Sequence, residues 1–304
     1  MLPALLTTVF FALSGISATR IAKLLGGVAA NFWRVVWATL LLALWSHLFG
    51  AGLTGKAFPL FFLSGVVGFG IGDVALYQAL PRIGSRLSIL LVHCLAAPFG
   101  ALVEWLWLGT VLSVSQMLCA AIILAGVALA LGPGGHLHLP RRTWMVGTAF
   151  GVLAGLAQGL GAVLSRQASA VGKAAAEEIS GVNAAYQRIV GGLLVSLIVF
   201  LAVKHREKLA RGATPAPPTP WRAALPWLLF NGVLGPVLGV SCYQWALSTT
   251  PTGVVLPIVA MTPLVIIPFA RYFEGEKPTG RSLLGGFIGV LGVAALAWVT
   301  HRAK

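Results

Sequence analysis

A succession of long apolar stretches fills most of this sequence and constrains its fold more than any other feature. A helix of about 20 apolar residues spans the hydrocarbon core of a bilayer. The chain is 58% hydrophobic and 9% charged, whereas a soluble domain carries about 25% charged residues. A water-soluble globule is therefore excluded, and we predict an all-α integral membrane protein with ten transmembrane helices. The ten stretches are 2–22, 28–48, 58–80, 84–108, 113–132, 143–165, 182–203, 223–247, 252–273 and 281–299.

The positive charge of the chain has a topological meaning. A net charge of +14 would suggest nucleic-acid binding in a soluble protein. Here the Lys and Arg residues lie between the apolar stretches, as expected for the cytoplasmic loops of a membrane protein. We expect the lipid bilayer as the environment and no nucleic acid as a partner. Most basic residues fall on the side opposite both termini, which predicts that both termini are outside.

The connections between the stretches are mostly short. Gly and Pro mark them, as in Pro81-Arg82-Ile83-Gly84. Only 169–181 and 204–221 have the composition of longer loops, and the second contains a basic cluster followed by a Pro-rich run. No segment has the composition of a soluble domain.

No pattern of a catalytic, metal or cofactor site is found. Cys94, Cys119 and Cys242 lie in apolar stretches without a CxxC pair, so we expect neither a disulfide framework nor a metal site. Metalloprotease, P-loop and nucleophile-elbow motifs are missing. We therefore expect no enzyme activity and no cofactor.

The sequence contains an internal repeat. The run Gly65–Gly72 (GVVGFGIG) has the glycine spacing of Gly232–Gly239 (GVLGPVLG), 167 residues later. Upstream, Phe32-Trp33-Arg34 aligns with Tyr186-Gln187-Arg188, and Ser14-Gly15 with Gln158-Gly159. Two halves of five spans follow, at 1–135 and 140–304. Because five is odd, the second half is expected to be inverted relative to the first, as in many secondary transporters.

Several matched features carry a resemblance to a known family. The sequence resembles the ten-span, EamA-like branch of the drug/metabolite transporter superfamily over essentially its whole length. In the first half, the turn Leu108-Gly109-Thr110 lacks the Glu of the corresponding second-half turn. The resemblance is carried by Arg34 and Arg188, Tyr77-Gln-Ala-Leu80 and Tyr243-Gln-Trp-Ala-Leu247, Pro98 and Pro263, and Phe273-Glu-Gly-Glu276-Lys-Pro before Gly285–Gly292.

The resemblance implies a function class. It implies ten helices around a central polar cavity and the export or exchange of small metabolites. Substrates of the superfamily range over amino acids, drugs, nucleotide sugars and phosphorylated sugars, so the resemblance does not fix the cargo. Members are often drawn with both termini inside, which conflicts with the charge distribution.

Two arginines inside apolar stretches are the first candidate site residues. A charged side chain within a span costs about 2.5–3.5 kcal/mol on insertion scales and is a functional candidate by default. Arg34 and Arg188 occupy matched positions of the repeat. They can line the cavity and bind an anionic group of the substrate, because guanidinium is always charged. Alternatively, they share a structural role at the helix ends.

Three other titratable residues lie within the stretches. Asp73 can couple an ion or proton or bind a substrate amine, or it can pair with Arg34 or cap an interrupted helix. Its repeat partner is Val240, so the role is not symmetric. His93 can also couple a proton. Glu104 lies nearer the end of its stretch and is expected at the membrane boundary.

Aromatic and amide side chains complete the candidate site. Together with the arginines they suggest that a small-molecule substrate, amino acid-like, is moved by alternating access. The alternative is a nucleotide-sugar, lipid or drug carrier; a membrane enzyme or a non-transporting scaffold would be of another class. We expect the protein to lie in the bacterial inner (plasma) membrane. The sequence leaves its oligomeric state open and is compatible with a monomer. The lining residues are Trp33, Tyr77, Gln158, Tyr186, Gln187, Tyr243 and Gln244.

Overall fold

The structure is a computed structural model that describes residues 1–131, 140–211, 220–265 and 280–302. Over these residues the chain is helical, without a strand. Two π-helical segments, Val66–Gly72 and Val233–Gly239, join α3 to α4 and α8 to α9. The α-helices are α1 Leu2–Leu25, α2 Gly27–Phe49, α3 Phe58–Gly65, α4 Asp73–Leu108, α5 Val114–Leu131, α6 Arg141–Ala174, α7 Gly181–Arg211, α8 Trp221–Gly232, α9 Val240–Thr249, α10 Thr252–Val259 and α11 Gly280–Arg302.

Eight helical stretches in the described residues are long and apolar enough to cross a membrane. Two further apolar helices, Val114–Ala130 and Thr252–Val265, are shorter. A helix of 17 residues is about 26 Å long, slightly less than a hydrocarbon core of about 30 Å. The structure thus gives an all-helical membrane fold, and the number of ten spans stays a prediction.

Helix α4 differs from the sequence prediction. The predicted connection Pro81–Gly84 lies within α4, which runs from Asp73 to Leu108. An added Cβ on Gly72 would meet Ala157 of α6, and Ala96 packs against Gly159, only two residues further along α6. In a straight helix residues 72 and 96 would be about 36 Å apart. The helix therefore bends back on itself, and its two arms lie against the same level of α6.

The two predicted long loops are shorter than expected. Helix α6 continues to Ala174, so only 175–180 separates it from α7. Helix α7 continues to Arg211 and carries the basic cluster that was assigned to the second loop. A helix of 31 residues is about 46 Å long, which exceeds the hydrocarbon core and accommodates this charged end. Residues 212–219, with most of the Pro-rich run, lie outside the described residues.

The two π-helical segments occupy both copies of the glycine-rich repeat. Each has seven residues, and their first residues, Val66 and Val233, are 167 positions apart. Sequence analysis predicted ordinary helix here. A π turn widens the helix and is uncommon outside functional sites. Glycine is needed at these segments because neighbouring helices approach the backbone closely. A Cβ on Gly65, directly before the first segment, would overlap the carbonyl group of Arg188.

The helix pairs are reciprocal between the halves. Helix α1 packs against α8, the second π segment and α9, while α6 packs against α3, the first π segment and α4. Helix α2 packs on α7, and α5 packs on α11. At matched positions, the Gln158 amide nitrogen donates to the Gly68 carbonyl at 3.2 Å, and Ser14 lies against Gly235. The inverted arrangement itself stays a prediction, as do the boundaries 1–135 and 140–304.

Candidate functional site

A cavity of about 630 Å³ lies among the helices. Both π segments contribute to its wall, and so do the beginnings of the helices that follow them, α4 and α9. The second arm of α4 contributes as well. The remaining wall comes from α1, α2, α6, α7 and α10. The polar residues of its lining are Ser14, Arg34, Asp73, Tyr77, His93, Gln158, Arg188 and Tyr243.

Asp73 is the centre of a hydrogen-bonded network. It follows the first π segment directly, so its side chain leaves the helix where the backbone turn is widest. Arg34 donates from Nη2 to Asp73 Oδ2 at 2.6 Å and from Nε to Asn31 at 2.9 Å. Gln158 donates from Nε2 to Asp73 Oδ1 at 3.2 Å. Both carboxylate oxygens of Asp73 are therefore engaged by the protein, and the charge of Arg34 is neutralised.

Arg188 has a different environment from Arg34. It is 2% exposed, and no carboxylate of the described residues lies within ion-pair distance. Its guanidinium carbon lies 5.1 Å from the ring centre of Phe69 and 5.6 Å from that of Tyr243. Its Nε has no hydrogen-bond partner among the described residues. Arg188 is thus a buried cation held by two aromatic rings, with donor capacity left for a ligand.

The wall opposite the charged network is largely apolar. Val92, His93 and Ala96 come from the second arm of α4, and Leu256 and Val259 come from α10. Among the described lining residues His93 is the only imidazole. The cavity therefore combines one concentrated polar region with an apolar body.

The cavity collects seven of the eleven residues predicted for the site. Four others lie elsewhere. Tyr186 bonds His47 at 3.1 Å through its hydroxyl, and Gln187 donates to the carbonyls of Gly52 and Thr54 at 3.1 and 3.0 Å. Successive helix residues point about 100° apart, so neighbours of Arg188 face away from the cavity. The seven are Arg34, Asp73, Tyr77, His93, Gln158, Arg188 and Tyr243.

Trp33 and Gln244 are the other two predicted residues outside the lining. Trp33 packs edge-on against Trp221, with the ring centres 5.4 Å apart. Gln244 donates to Ser165 Oγ at 3.2 Å, and Ser165 bonds Ser64 at 2.7 Å. These two residues hold helices together rather than line the cavity.

Sequence analysis missed the residues that the π segments contribute. Phe69, Gly235 and Pro236 line the cavity, as does Phe11 of α1. The signal that could have found three of them was the glycine-rich repeat, because a helix interrupted at matched positions of two halves marks a substrate site.

One end of the cavity is closed by polar contacts. We call the end formed by the α2–α3, α6–α7 and α9–α10 connections the termini side. Glu104 was expected at the membrane boundary, but it is 1% exposed and forms an ion pair with Arg166. Its other oxygen accepts the Thr252 N–H at 2.6 Å, at the start of α10. Arg166 also donates to the Leu247 carbonyl at 3.2 Å. These contacts join α4, α6 and the α9–α10 turn.

The lining extends towards the opposite end. We call this end, at the α1–α2 junction, the basic side. The lining continues from Arg188 through Ala18 to Ala22 and Gly27, which are partly exposed. On the termini side it stops short of Ser165 and Gln244, which are buried. Within the described residues, the lining therefore stops behind buried contacts at the termini side and continues to partly exposed residues at the basic side.

Comparison with known proteins agrees with this architecture. The sequence model of the EamA-like transporter family matches residues 1–132 and 145–298. A solved crystal structure has a similar fold, with a TM-score of 0.74 over 99% of this chain and 98% of that chain, at 15% sequence identity. Among curated proteins no sequence matches.

Proposed function

The chain belongs to the EamA-like transporter family and is an integral membrane transporter; we propose that it is a secondary transporter that works by alternating access. The observation that carries this proposal is a cavity of about 630 Å³ with polar groups in its lining, whose described residues close it at the termini side and continue to partly exposed residues at the basic side. A cavity of this size holds a small metabolite. Moving the closure from one end to the other would carry the substrate across the membrane.

The proposed architecture has ten spans in two inverted halves of five. The eight long apolar stretches and the two shorter apolar helices give this number together. The reciprocal packing of α1 and α6 supports the inversion, as do the two π segments 167 residues apart. The two halves would then rock around the cavity between them.

The proposed substrate is a small polar metabolite, amino acid-like, carried across a bacterial inner membrane. Arg188 would bind its carboxylate, and Tyr77, Gln158 and Tyr243 would complete the polar contacts. Coupling to an ion or proton is proposed at Asp73 or His93, the carboxylate and the imidazole of the lining. No catalytic reaction is part of this proposal.

Uptake into proteoliposomes tests the proposal with a matched pair of variants. The purified chain is reconstituted, and uptake of labelled phenylalanine and labelled phenylacetate is compared with protein-free vesicles. Gln158→Ala removes the bonds to Asp73 and Gly68 in the cavity, and we expect it to raise the KM about threefold to tenfold. Gln187→Ala removes bonds to the α2–α3 loop, and we expect a lower Tm with an unchanged KM.

Two results would contradict the proposal. If neither compound enters faster than in protein-free vesicles, the chain does not transport this class of substrate. If Gln187→Ala raises the KM as much as Gln158→Ala does, the cavity does not hold the substrate.

A further inference from the structure

The two halves differ at one position that controls the charge of the cavity. Asp73 and Val240 each follow a π segment directly, and their backbone angles agree within a few degrees (φ −69°, ψ −38° and φ −72°, ψ −33°). In the first half Asp73 neutralises Arg34. In the second half Val240 offers Arg188 no carboxylate. One arginine of the matched pair is therefore neutralised and the other is not.

The charge balance of the lining follows from this difference. The charges of Arg34 and Asp73 cancel, so with His93 neutral the described lining carries one net positive charge, at Arg188. A buried cation without a partner is costly, and an anion that binds beside it removes that cost. Arg188 lines the cavity without an ion pair among the described residues, so its guanidinium can donate to such an anion.

The described lining has no carboxylate left unpaired to match an ammonium group. Among the described lining residues Asp73 is the only carboxylate, and its Oδ1 and Oδ2 already accept hydrogen bonds from Gln158 and Arg34. A zwitterion would leave its positive group without a counter-charge. The remaining wall is apolar, with Phe11, Leu76 and Val92 among its members, so it favours an apolar body on the ligand.

We propose that the cavity selects an organic monoanion, a carboxylate with an apolar body, and that Val240 determines this selectivity by leaving Arg188 unpaired. The inference rests on the proposed transport function but changes its substrate class, because it prefers the monoanion to the zwitterion of the same skeleton, which is the form of an amino acid. A second carboxylate at position 240 would cancel the charge. Loss of the carboxylate at position 73 would add one positive charge and shift the preference towards dianions.

Ligand binding to the purified chain in detergent tests this without any need for transport. The probes are labelled phenylacetate, phenylalanine, phenethylamine and phenyl phosphate, which carry one negative charge, no net charge, one positive charge and nearly two negative charges at pH 7.5. We expect phenylacetate to bind at least about tenfold more tightly than phenylalanine, and phenethylamine not to bind.

Three variants separate charge from shape. Val240→Asp should weaken phenylacetate binding by at least about tenfold, and Val240→Asn, which has the same size without the charge, should weaken it less. Asp73→Asn should strengthen phenyl phosphate binding relative to phenylacetate. Each variant must keep the Tm and the elution volume of the parent chain to be compared.

The outcomes distinguish this inference from the proposed function. Tighter binding of phenylalanine or phenethylamine than of phenylacetate would overturn the inference, and so would equal effects of Val240→Asp and Val240→Asn. If phenylacetate binds as expected but never crosses the proteoliposome membrane, the inference stands and the proposed transport fails. If phenylalanine crosses and phenylacetate neither binds nor crosses, transport stands and the inference fails.

Discussion

At the scale of single residues, the two arginines show how one partner changes the role of a side chain. Sequence analysis left open whether Arg34 and Arg188 share a structural role or contact the substrate. Arg34 forms an ion pair with Asp73 and a hydrogen bond to Asn31, whereas Arg188 has no ion pair among the described residues and lies beside two aromatic rings. The matched positions were visible in the sequence. Their environments differ because Asp73 follows the first π segment and pairs with Arg34, whereas Val240 follows the second and offers Arg188 no carboxylate.

Glu104 is expected to stabilise the closed end of the cavity. Replacing it in Glu104→Gln removes the negative charge beside Arg166 and leaves that guanidinium without its counter-ion. Breaking a fully buried ion pair costs about 3–5 kcal/mol, but Arg166 is 23% exposed, so we expect about 1–3 kcal/mol after solvent screening. The measurement is the thermal unfolding of the purified chain in detergent.

Glu207→Gln is the matched control for Glu104→Gln. Glu207 pairs with Lys204 at 2.9 Å on the exposed end of α7, where both side chains are at least 40% exposed. Pairs of this kind contribute at most about 1 kcal/mol. Equal losses of stability in the two variants would show that the Glu104 contacts do not hold the termini side closed.

Several site residues could be predicted because they break the apolar pattern. Arg34, Asp73, His93 and Arg188 are titratable groups inside apolar stretches, and all four line the cavity. The amides and aromatics were predicted less well. Gln187 and Gln244 have the same composition signal as Gln158, but the direction of a side chain depends on helix rotation, which the uniformly apolar neighbours did not reveal.

At the scale of the elements, close helix contacts depend on glycine. Gly65 of α3 lies so near α7 that an added Cβ would overlap the Arg188 carbonyl. Backbone cannot move aside as a side chain can, so Gly65→Ala should separate the two helices and cost about 1–3 kcal/mol. We expect a lower Tm and, because Arg188 moves with α7, weaker binding of phenylacetate.

Gly286→Ala serves as the control for Gly65→Ala. A Cβ at Gly286 would meet no atom within 4 Å, and Ala favours a helix over Gly by about 1 kcal/mol. The Tm should stay the same or rise. If Gly65→Ala were as stable as Gly286→Ala, the contact between α3 and α7 would not be as close as the structure has it.

The helices were more predictable than the ways in which they are interrupted. Apolar length fixed the position of most helices within a few residues, because lipid forces each span to satisfy its own backbone groups. A connection at Pro81–Gly84 was predicted between two spans, but its helical backbone within α4 was not, and neither were the two π segments. Gly and Pro mark these sites in the sequence, but the same residues also mark loops. Whether such a site becomes a loop or an interrupted helix depends on its packing against α6 and α7.

At the scale of the whole molecule, the described lining of the cavity reaches partly exposed residues at the basic side and ends behind buried contacts at the termini side. We expect Ala22→Cys, near the basic side, to react readily with a water-soluble maleimide in a background without the native cysteines. Ser165→Cys, buried behind the contacts of the termini side, should stay unlabelled. Adding Glu104→Gln should increase its labelling, because the contacts that close this side are weakened. Unchanged labelling of Ser165→Cys would exclude Glu104 from the closure.

The same labelling in cells tests the predicted orientation. The charge distribution predicts that the basic side is cytoplasmic and that both termini are outside. Ala22→Cys should then react only after the membrane is permeabilised. Reaction in intact cells would reverse the orientation and agree with the drawings of related transporters that have both termini inside.

The π segments also restrict how the length of this chain can change. Each contains an inserted residue relative to an ordinary helix, and one residue corresponds to about 100° of rotation for everything that follows it. Deleting one residue from Val66–Gly72 would turn Asp73 and Tyr77 out of the cavity and carry lipid-facing residues into it. Substitutions such as one at Val240 can therefore change the chemistry of the cavity. Insertions or deletions in these two segments would instead turn lining residues away from the cavity and bring lipid-facing residues towards it.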